Sequence, residues 1–173
     1  MLLNKIKFTS RRVAGLLVLF LAISCFYSSV QAASYTVETV PNAHLSDRSN
    51  RVSNPDGIIL PEDVATINQM LQLVEDSLSI EVAVVAIESI GDNDARMFAT
   101  DLFKHWGIGK KGEDNGLLIL LVTDPAQRAV VFETGYGIEG ILPDAICYRL
   151  QQNYMIPDLK AGNFSQGMAK GVA

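Results

Sequence analysis

Residues 116–134 read GLLILLVTDPAQRAVVFET, two apolar runs separated by a short polar connection. The first run, GLLILLV, is apolar throughout, which is typical of a strand that is buried on both faces of a sheet. The second run, RAVVFET at 128–134, follows after only five residues. Because so short a connection forces the two strands to run antiparallel, this stretch predicts a β-hairpin.

A second strand and two helices are indicated on the N-terminal side of the hairpin. Residues 61–78 repeat apolar side chains at helical spacing and begin with proline, a favourable first helical residue. EVAVVAI at 81–87 is another buried strand, and a second helical pattern begins after Asp94 and stops near Gly107. Because a helix connects the two buried strands, 81–87 and 116–122 are predicted to be parallel.

The C-terminal part of the chain adds further helices. Pro143 and Asp144 begin a third helix that is predicted to end at Pro157, and Asn163 is placed to cap a last one. Residues 33–56, rich in Ser, Asn, Pro and Asp, are interpreted as an extended leader. With 57–173 as the domain, the predicted fold is a three-layer α/β/α sandwich with a small mixed sheet that contains one antiparallel hairpin.

The N-terminus has the layout of a secretory signal peptide. Four basic residues precede an apolar run at 13–23, and small residues follow up to Ala32. The sequence therefore predicts a signal peptide at 1–32 and a mature chain, 33–173, outside the cytoplasm in the periplasm or cell envelope. A short uncleaved anchor is the alternative, and Cys25 leaves lipoprotein anchoring open.

Composition excludes one class of partner. Four of the 14 basic residues lie in the predicted signal, which leaves 10 basic against 19 acidic residues and a net charge of −9. Nucleic-acid binding is excluded, since little in such a chain would neutralise a phosphate backbone. Only Cys147 remains after cleavage, so no intramolecular disulfide forms. We interpret Cys147 as a small core residue, with a reactive thiol as the alternative.

Gly135, Gly137 and Gly140 have the G-x-G-x-x-G spacing of a dinucleotide-binding turn. In that fold the glycines open a helix at once and a second parallel strand follows. Here the helix does not begin until Pro143. The segment that follows the helix, PDLKAGN at 157–163, lacks the apolar residues of a buried strand. The context therefore excludes a dinucleotide cofactor.

The predicted topology instead suggests a metal site. The start of the second parallel strand lies beside the end of the hairpin strand, so the loop with Asp114 meets the loop that begins at Gly135. Carboxylate, amide and backbone carbonyl oxygens suit a divalent cation, above all calcium, and glycines let carbonyls turn toward an ion. Ordinary turn and helix-cap roles are the alternative. The candidate metal ligands are Asp114, Asn115, Gly135, Gly137, Glu139 and Asp144.

Four blocks in order resemble the TPM domain, a family named for a thylakoid lumen protein, a photosystem repair factor and a nematode receptor modulator. The two signature blocks are WGIGKKGEDNGLLILLV at 106–122 and RAVVFETGYGIEGILPD at 128–144. VSNPDGIILPEDVATIN at 52–68 and MIPDLKAGNFSQGMAKGV at 155–172 fit the same pattern. The resemblance implies an α/β/α sandwich on the outer face of a membrane, and family members have been described as calcium-binding or as weak acid phosphatases. Leu60 departs from the Ser or Thr that often caps the first helix in the family.

Two function classes remain open. The favoured one is a noncatalytic, calcium-binding domain that acts as an interaction or maintenance factor for membrane proteins or envelope components. The alternative is a weak metal-dependent acid phosphatase, in which the ion would polarise a phosphoryl oxygen and deliver a water. The sequence shows no obvious nucleophile, and the nearby cations that could hold phosphate are Lys110 and Lys111.

Overall fold

The computed structural model describes residues 34–173, so the predicted signal peptide lies outside the described residues. These residues form a four-stranded sheet in the order β1-β2-β3-β4. The strands are β1 (Val52–Ser53), β2 (Glu81–Ile87), β3 (Gly116–Val122) and β4 (Ala129–Thr134). The first three strands are parallel and β4 is antiparallel to β3. The predicted mixed sheet with one antiparallel hairpin is therefore confirmed.

Helices surround this sheet. They are α1 (Ala43–Ser46), α2 (Pro61–Leu78), α3 (Ala95–Trp106), α4 (Asp144–Leu150), α5 (Ile156–Lys160) and α6 (Phe164–Val172), with a 3₁₀ turn at Tyr136–Ile138 and a π-helical segment at Gln151–Met155. Asp94 caps α3 by accepting hydrogen bonds from the amides of Arg96 and Met97. None of the helices in 34–173 combines the length and apolar character needed to span a bilayer.

The core has two parts, one on each face of the sheet. Side chains of β2 and β3 alternate between them: Val84 and Ile119 belong to one core, Val85 and Leu120 to the other. Residues of α2, α5 and α6 complete the first core and residues of α3 complete the second. This arrangement explains the uninterrupted apolar runs, because a strand covered on both faces has no solvent-facing side.

The third helix continues past the proline that was predicted to end it. The amide of Ile156 donates to the carbonyl of Gln151, five residues earlier, so a π-helical segment joins α4 to α5. Pro157 then lies in the first turn of α5, where its fixed φ is compatible with a helix. The prediction that the helix ends at Pro157 was wrong for this reason.

Residues 33–56, interpreted from the sequence as an extended leader, contribute β1 and α1 in the structure. Only two residue pairs join β1 to β2, Val52 with Val84 and Ser53 with Val85. A strand of two residues is too short to show a periodic pattern, so the sequence gives no signal for β1.

The starts of α2 and α6 lack side-chain caps. Leu60 precedes α2 without a capping hydrogen bond, as its departure from the family pattern suggested; its amide donates instead to Ser165 Oγ at 2.8 Å. Asn163 precedes α6 and likewise makes no side-chain capping bond; its backbone carbonyl accepts from the amide of Gly167 at 2.9 Å. The start of α2 is therefore held by a contact with α6.

Candidate functional site at the acidic rim

Two loops meet at the end of the sheet where β3 begins and β4 ends. We call residues 109–115 and 135–139 the acidic rim. The amide of Gly135 donates to the carbonyl of Gly116 at 2.8 Å, and the amide of Gly137 donates to the carbonyl of Asp114 at 3.0 Å. The predicted meeting of these two loops is confirmed, and it follows from the parallel β2–β3 pair and the antiparallel hairpin.

Two of the three glycines in the G-x-G-x-x-G pattern, Gly135 and Gly137, are needed for the backbones of the two rim loops to cross. A Cβ atom added to Gly135 would lie well under 3.0 Å from the carbonyl oxygen of Asp114, and one added to Gly137 equally close to that of Glu113. A Cβ added to Gly140 would meet nothing within 4 Å. The spacing thus has a structural cause at its first two positions, which is the close approach of two backbone segments.

Asn115 holds the first loop in shape. Its side chain is buried, and its Oδ1 accepts from the amide of Lys110 at 2.7 Å. Its Nδ2 donates to the carbonyl of Ser79 at 2.5 Å and to Glu113 Oε2 at 2.7 Å. Both polar atoms of this predicted ligand are therefore engaged within the fold, where they connect the loop to the end of α2.

The carboxylates of the acidic rim face solvent. Glu113, Asp114 and Glu139 are exposed, and Asp114 has a left-handed backbone with φ of 49°. Tyr136 is 80% exposed beside them, while Ile138 is buried and anchors the second loop. No group of three or more His, Cys, Asp or Glu side chains is arranged to hold a metal ion anywhere in 34–173. The rim offers exposed oxygen ligands rather than a preassembled cluster.

The last predicted ligand, Asp144, lies in a different environment. At the start of α4, it lines a cavity together with Arg96 of α3, residues 130–132 of β4, and Cys147. Burial, followed by the charge of Asp144, raises the pKa of the Cys147 thiol. Because the thiolate is the nucleophilic form, this environment supports the interpretation of Cys147 as a core residue.

Comparisons with known proteins fit this architecture. A solved structure of the N-terminal domain of a protein from P. gingivalis is 38% identical to the chain, with a TM-score of 0.73, and covers 81% of this chain and 88% of that one. The N-terminal domain of the cg2496 protein from Corynebacterium glutamicum is 16% identical, with a TM-score of 0.57, and covers 80% and 83%. The BA42 protein from Bizionia argentinensis is 23% identical, with a TM-score of 0.56, and covers 69% and 80%. At such low identity the last two show the fold alone.

A family comparison agrees with the structural one. No curated protein is matched by the sequence. The family model described as TPM domain matches residues 52–173, which include β1 and both loops of the acidic rim. The chain therefore belongs to the TPM domain family.

Proposed function

We propose that this TPM domain is an extracytoplasmic factor that binds calcium at the acidic rim and uses the same surface to interact with membrane proteins or envelope components. The observation that carries the proposal is the crossing of the two rim loops. Backbone hydrogen bonds and two obligatory glycines hold the loops in place, while the carboxylates of Glu113, Asp114 and Glu139 remain in solvent. The signal-peptide pattern supports the location outside the cytoplasm.

Calcium is the cation that these groups suit. It accepts six to eight oxygen ligands in flexible geometry and completes its shell with water, so exposed carboxylates on a fixed backbone are suitable donors. Neither of the two ion pairs found in residues 34–173, Arg51 with Glu75 and Lys170 with Asp158, involves a rim carboxylate. One oxygen of the Glu113 side chain accepts a hydrogen bond from Asn115 Nδ2, which leaves the other oxygen available to a cation.

Calcium is expected to raise the melting temperature of the mature chain. Binding to the folded state alone at tenfold above the dissociation constant adds about 1.4 kcal/mol to the free energy of unfolding. For a domain of this size that corresponds to a shift of about 4 °C. Thermal unfolding followed by circular dichroism, in chelator and in increasing calcium, measures the shift.

Substitutions of single carboxylates test whether the calcium-dependent shift in melting temperature comes from the acidic rim. Asp114→Asn and Glu139→Gln should reduce the calcium-dependent shift, because each removes one charged ligand from the rim. Asp101→Asn, which changes an exposed carboxylate on α3, and Asp144→Asn, which changes a carboxylate at the start of α4 outside the two rim loops, should retain it. Equal melting temperatures in chelator and in millimolar calcium would refute calcium binding.

The partner-binding part of the proposal rests on apolar exposure next to the carboxylates. Tyr136 is 80% exposed and Ile141 is 66% exposed, and aromatic residues are enriched at protein interfaces. A photoreactive residue at position 136 is expected to crosslink to envelope proteins in the native membrane fraction. The same residue at Met97, which is 69% exposed on α3, is the matched control and should give little product. Equal crosslinking from both positions would contradict a role for the rim.

The alternative, a weak metal-dependent phosphatase, is favoured only by the position of Lys110 and Lys111. Both are exposed on the rim loop that carries Asp114, where they could hold a phosphate oxygen. Hydrolysis of p-nitrophenyl phosphate that requires a divalent cation and is lost in Asp114→Asn would decide for the enzyme. Absence of cation-dependent hydrolysis would decide against the enzyme, and hydrolysis equal in the wild type and this variant would decide against a catalytic site at the rim.

A further inference from the structure

A cavity of about 140 Å³ lies between α1, the beginning of β2 and the end of α3. None of the rim carboxylates lines it. Its polar lining includes His44, Arg48 and Arg51, and its apolar lining includes Val82 and Trp106. The combination of hydrogen-bond donors with an apolar wall is typical of small-molecule binding sites.

Arg51 is the unusual residue of this cavity. It is only 8% exposed, and its Nε and Nη2 donate to Glu75 Oε2 at 3.0 and 2.5 Å. Its Nη1 is also buried but has no hydrogen-bond partner among residues 34–173. Because a buried donor without an acceptor destabilises the fold, this nitrogen indicates that an acceptor from outside the described residues completes the site.

A second residue of the cavity lining, His44, also has a buried nitrogen, Nδ1, without a partner within the described residues. The cavity's one carboxylate, Glu81, already accepts from the amide of Gly109 at 3.1 Å. Exposed Arg48 adds positive charge at the entrance. The unfilled hydrogen-bonding capacity of the cavity therefore favours a ligand with acceptor oxygens.

The size and the apolar lining of the cavity limit the apolar part of the ligand. A dry protein cavity of about 150 Å³ holds one benzene molecule, so a single small ring or short branched chain is the limit here. Val82 and Ile108 are buried and Trp106 is half-buried, and all three line the cavity. An inorganic oxyanion would leave these apolar side chains without a partner, whereas an organic acid would cover them.

We propose that this cavity binds a small organic carboxylate. The carboxylate accepts hydrogen bonds from Arg51 Nη1 and His44 Nδ1, and the apolar body packs against Val82, Trp106 and Ile108. Charge-assisted hydrogen bonds from a guanidinium to a carboxylate are among the stronger polar contacts in proteins, which favours the anion over a neutral ligand of the same shape.

Titration with benzoate tests the proposal, because Trp106 is the only tryptophan of the chain and reports on its own cavity. For a ligand of this size we expect a saturable change in tryptophan fluorescence below about 10 mM benzoate. Benzamide, which is neutral and of nearly equal size, should bind at least tenfold more weakly, and so should inorganic phosphate. The change should be the same in chelator, which separates this site from calcium at the acidic rim.

Arg51→Lys is the decisive variant, since lysine keeps a cation for Glu75 but lacks the atom that corresponds to Nη1. We expect its benzoate affinity to fall roughly tenfold, or about 1.4 kcal/mol. Arg149→Lys, the same exchange at an exposed position of α4, should bind as the wild type does. Amide chemical-shift mapping of the wild type gives a second readout that does not depend on how well the variant folds, with the largest shifts expected at Ala43, Val82 and Ile108. Absence of saturation, equal binding of benzamide, unchanged affinity in Arg51→Lys, or shifts centred elsewhere would each overturn the proposal.

Discussion

Replacing Gly137 with alanine is expected to lower the free energy of unfolding by about 3 kcal/mol and the melting temperature by about 10 °C. The added methyl group would fall well inside contact distance of the carbonyl oxygen of Glu113. That oxygen belongs to a backbone segment held by hydrogen bonds to Lys110 and to Gly137 itself, so it has little freedom to move aside. Chemical denaturation of the mature chain measures the loss.

Alanine substitutions at Gly135 and Gly140 are the comparisons for Gly137→Ala. Gly135→Ala should be similarly destabilising, because its methyl group would meet the carbonyl of Asp114. Gly140→Ala should change stability by less than about 0.5 kcal/mol, since open space surrounds that position. If all three variants lost the same stability, the crossing of the loops could not be the reason for the glycines.

Replacing Asn115 with alanine is expected to reduce stability by about 2 kcal/mol. The change removes three hydrogen bonds, to Lys110, Ser79 and Glu113, each with a net value of about 1 kcal/mol. The expected loss of stability is smaller than the sum of three hydrogen bonds, because Lys110, Ser79 and Glu113 are exposed and water can replace part of the lost hydrogen bonding. Urea denaturation in the presence of a chelator separates this effect from metal binding.

Asp114→Asn is the matched control for that experiment. It changes the adjacent, exposed residue, and asparagine tolerates the left-handed backbone that Asp114 adopts at φ of 49°. Its stability without calcium should stay within about 0.5 kcal/mol of the wild type. Equal losses from the two substitutions would show that the buried amide of Asn115 has no special part in holding the loop.

The sequence by itself determined most of the architecture. The apolar runs at 81–87 and 116–122 are long enough to mark buried strands without help from distant residues. The six-residue connection between β3 and β4, residues 123–128, is too short for anything but a hairpin, and the helix between β2 and β3 requires these two strands to be parallel. These signals are local, and they were sufficient to predict that the loop with Asp114 meets the loop that begins at Gly135.

Only the tertiary structure decided what the individual side chains do. The sequence predicts Asn115 as a metal ligand, with a turn residue as the alternative, but the end of α2 passes close enough to accept a hydrogen bond from its amide. Asp144 follows the rim loop in sequence, and yet at the start of α4 it lines a cavity to which Arg96 of α3 also contributes. Arg51 precedes a strand of two residues, and only the packed fold shows that Glu75 pairs with two of its nitrogens while Nη1 has no partner within residues 34–173. Local patterns record backbone propensity and hydrophobic period, whereas hydrogen-bond partners come from segments far apart in the chain, and only the packed fold brings those segments together.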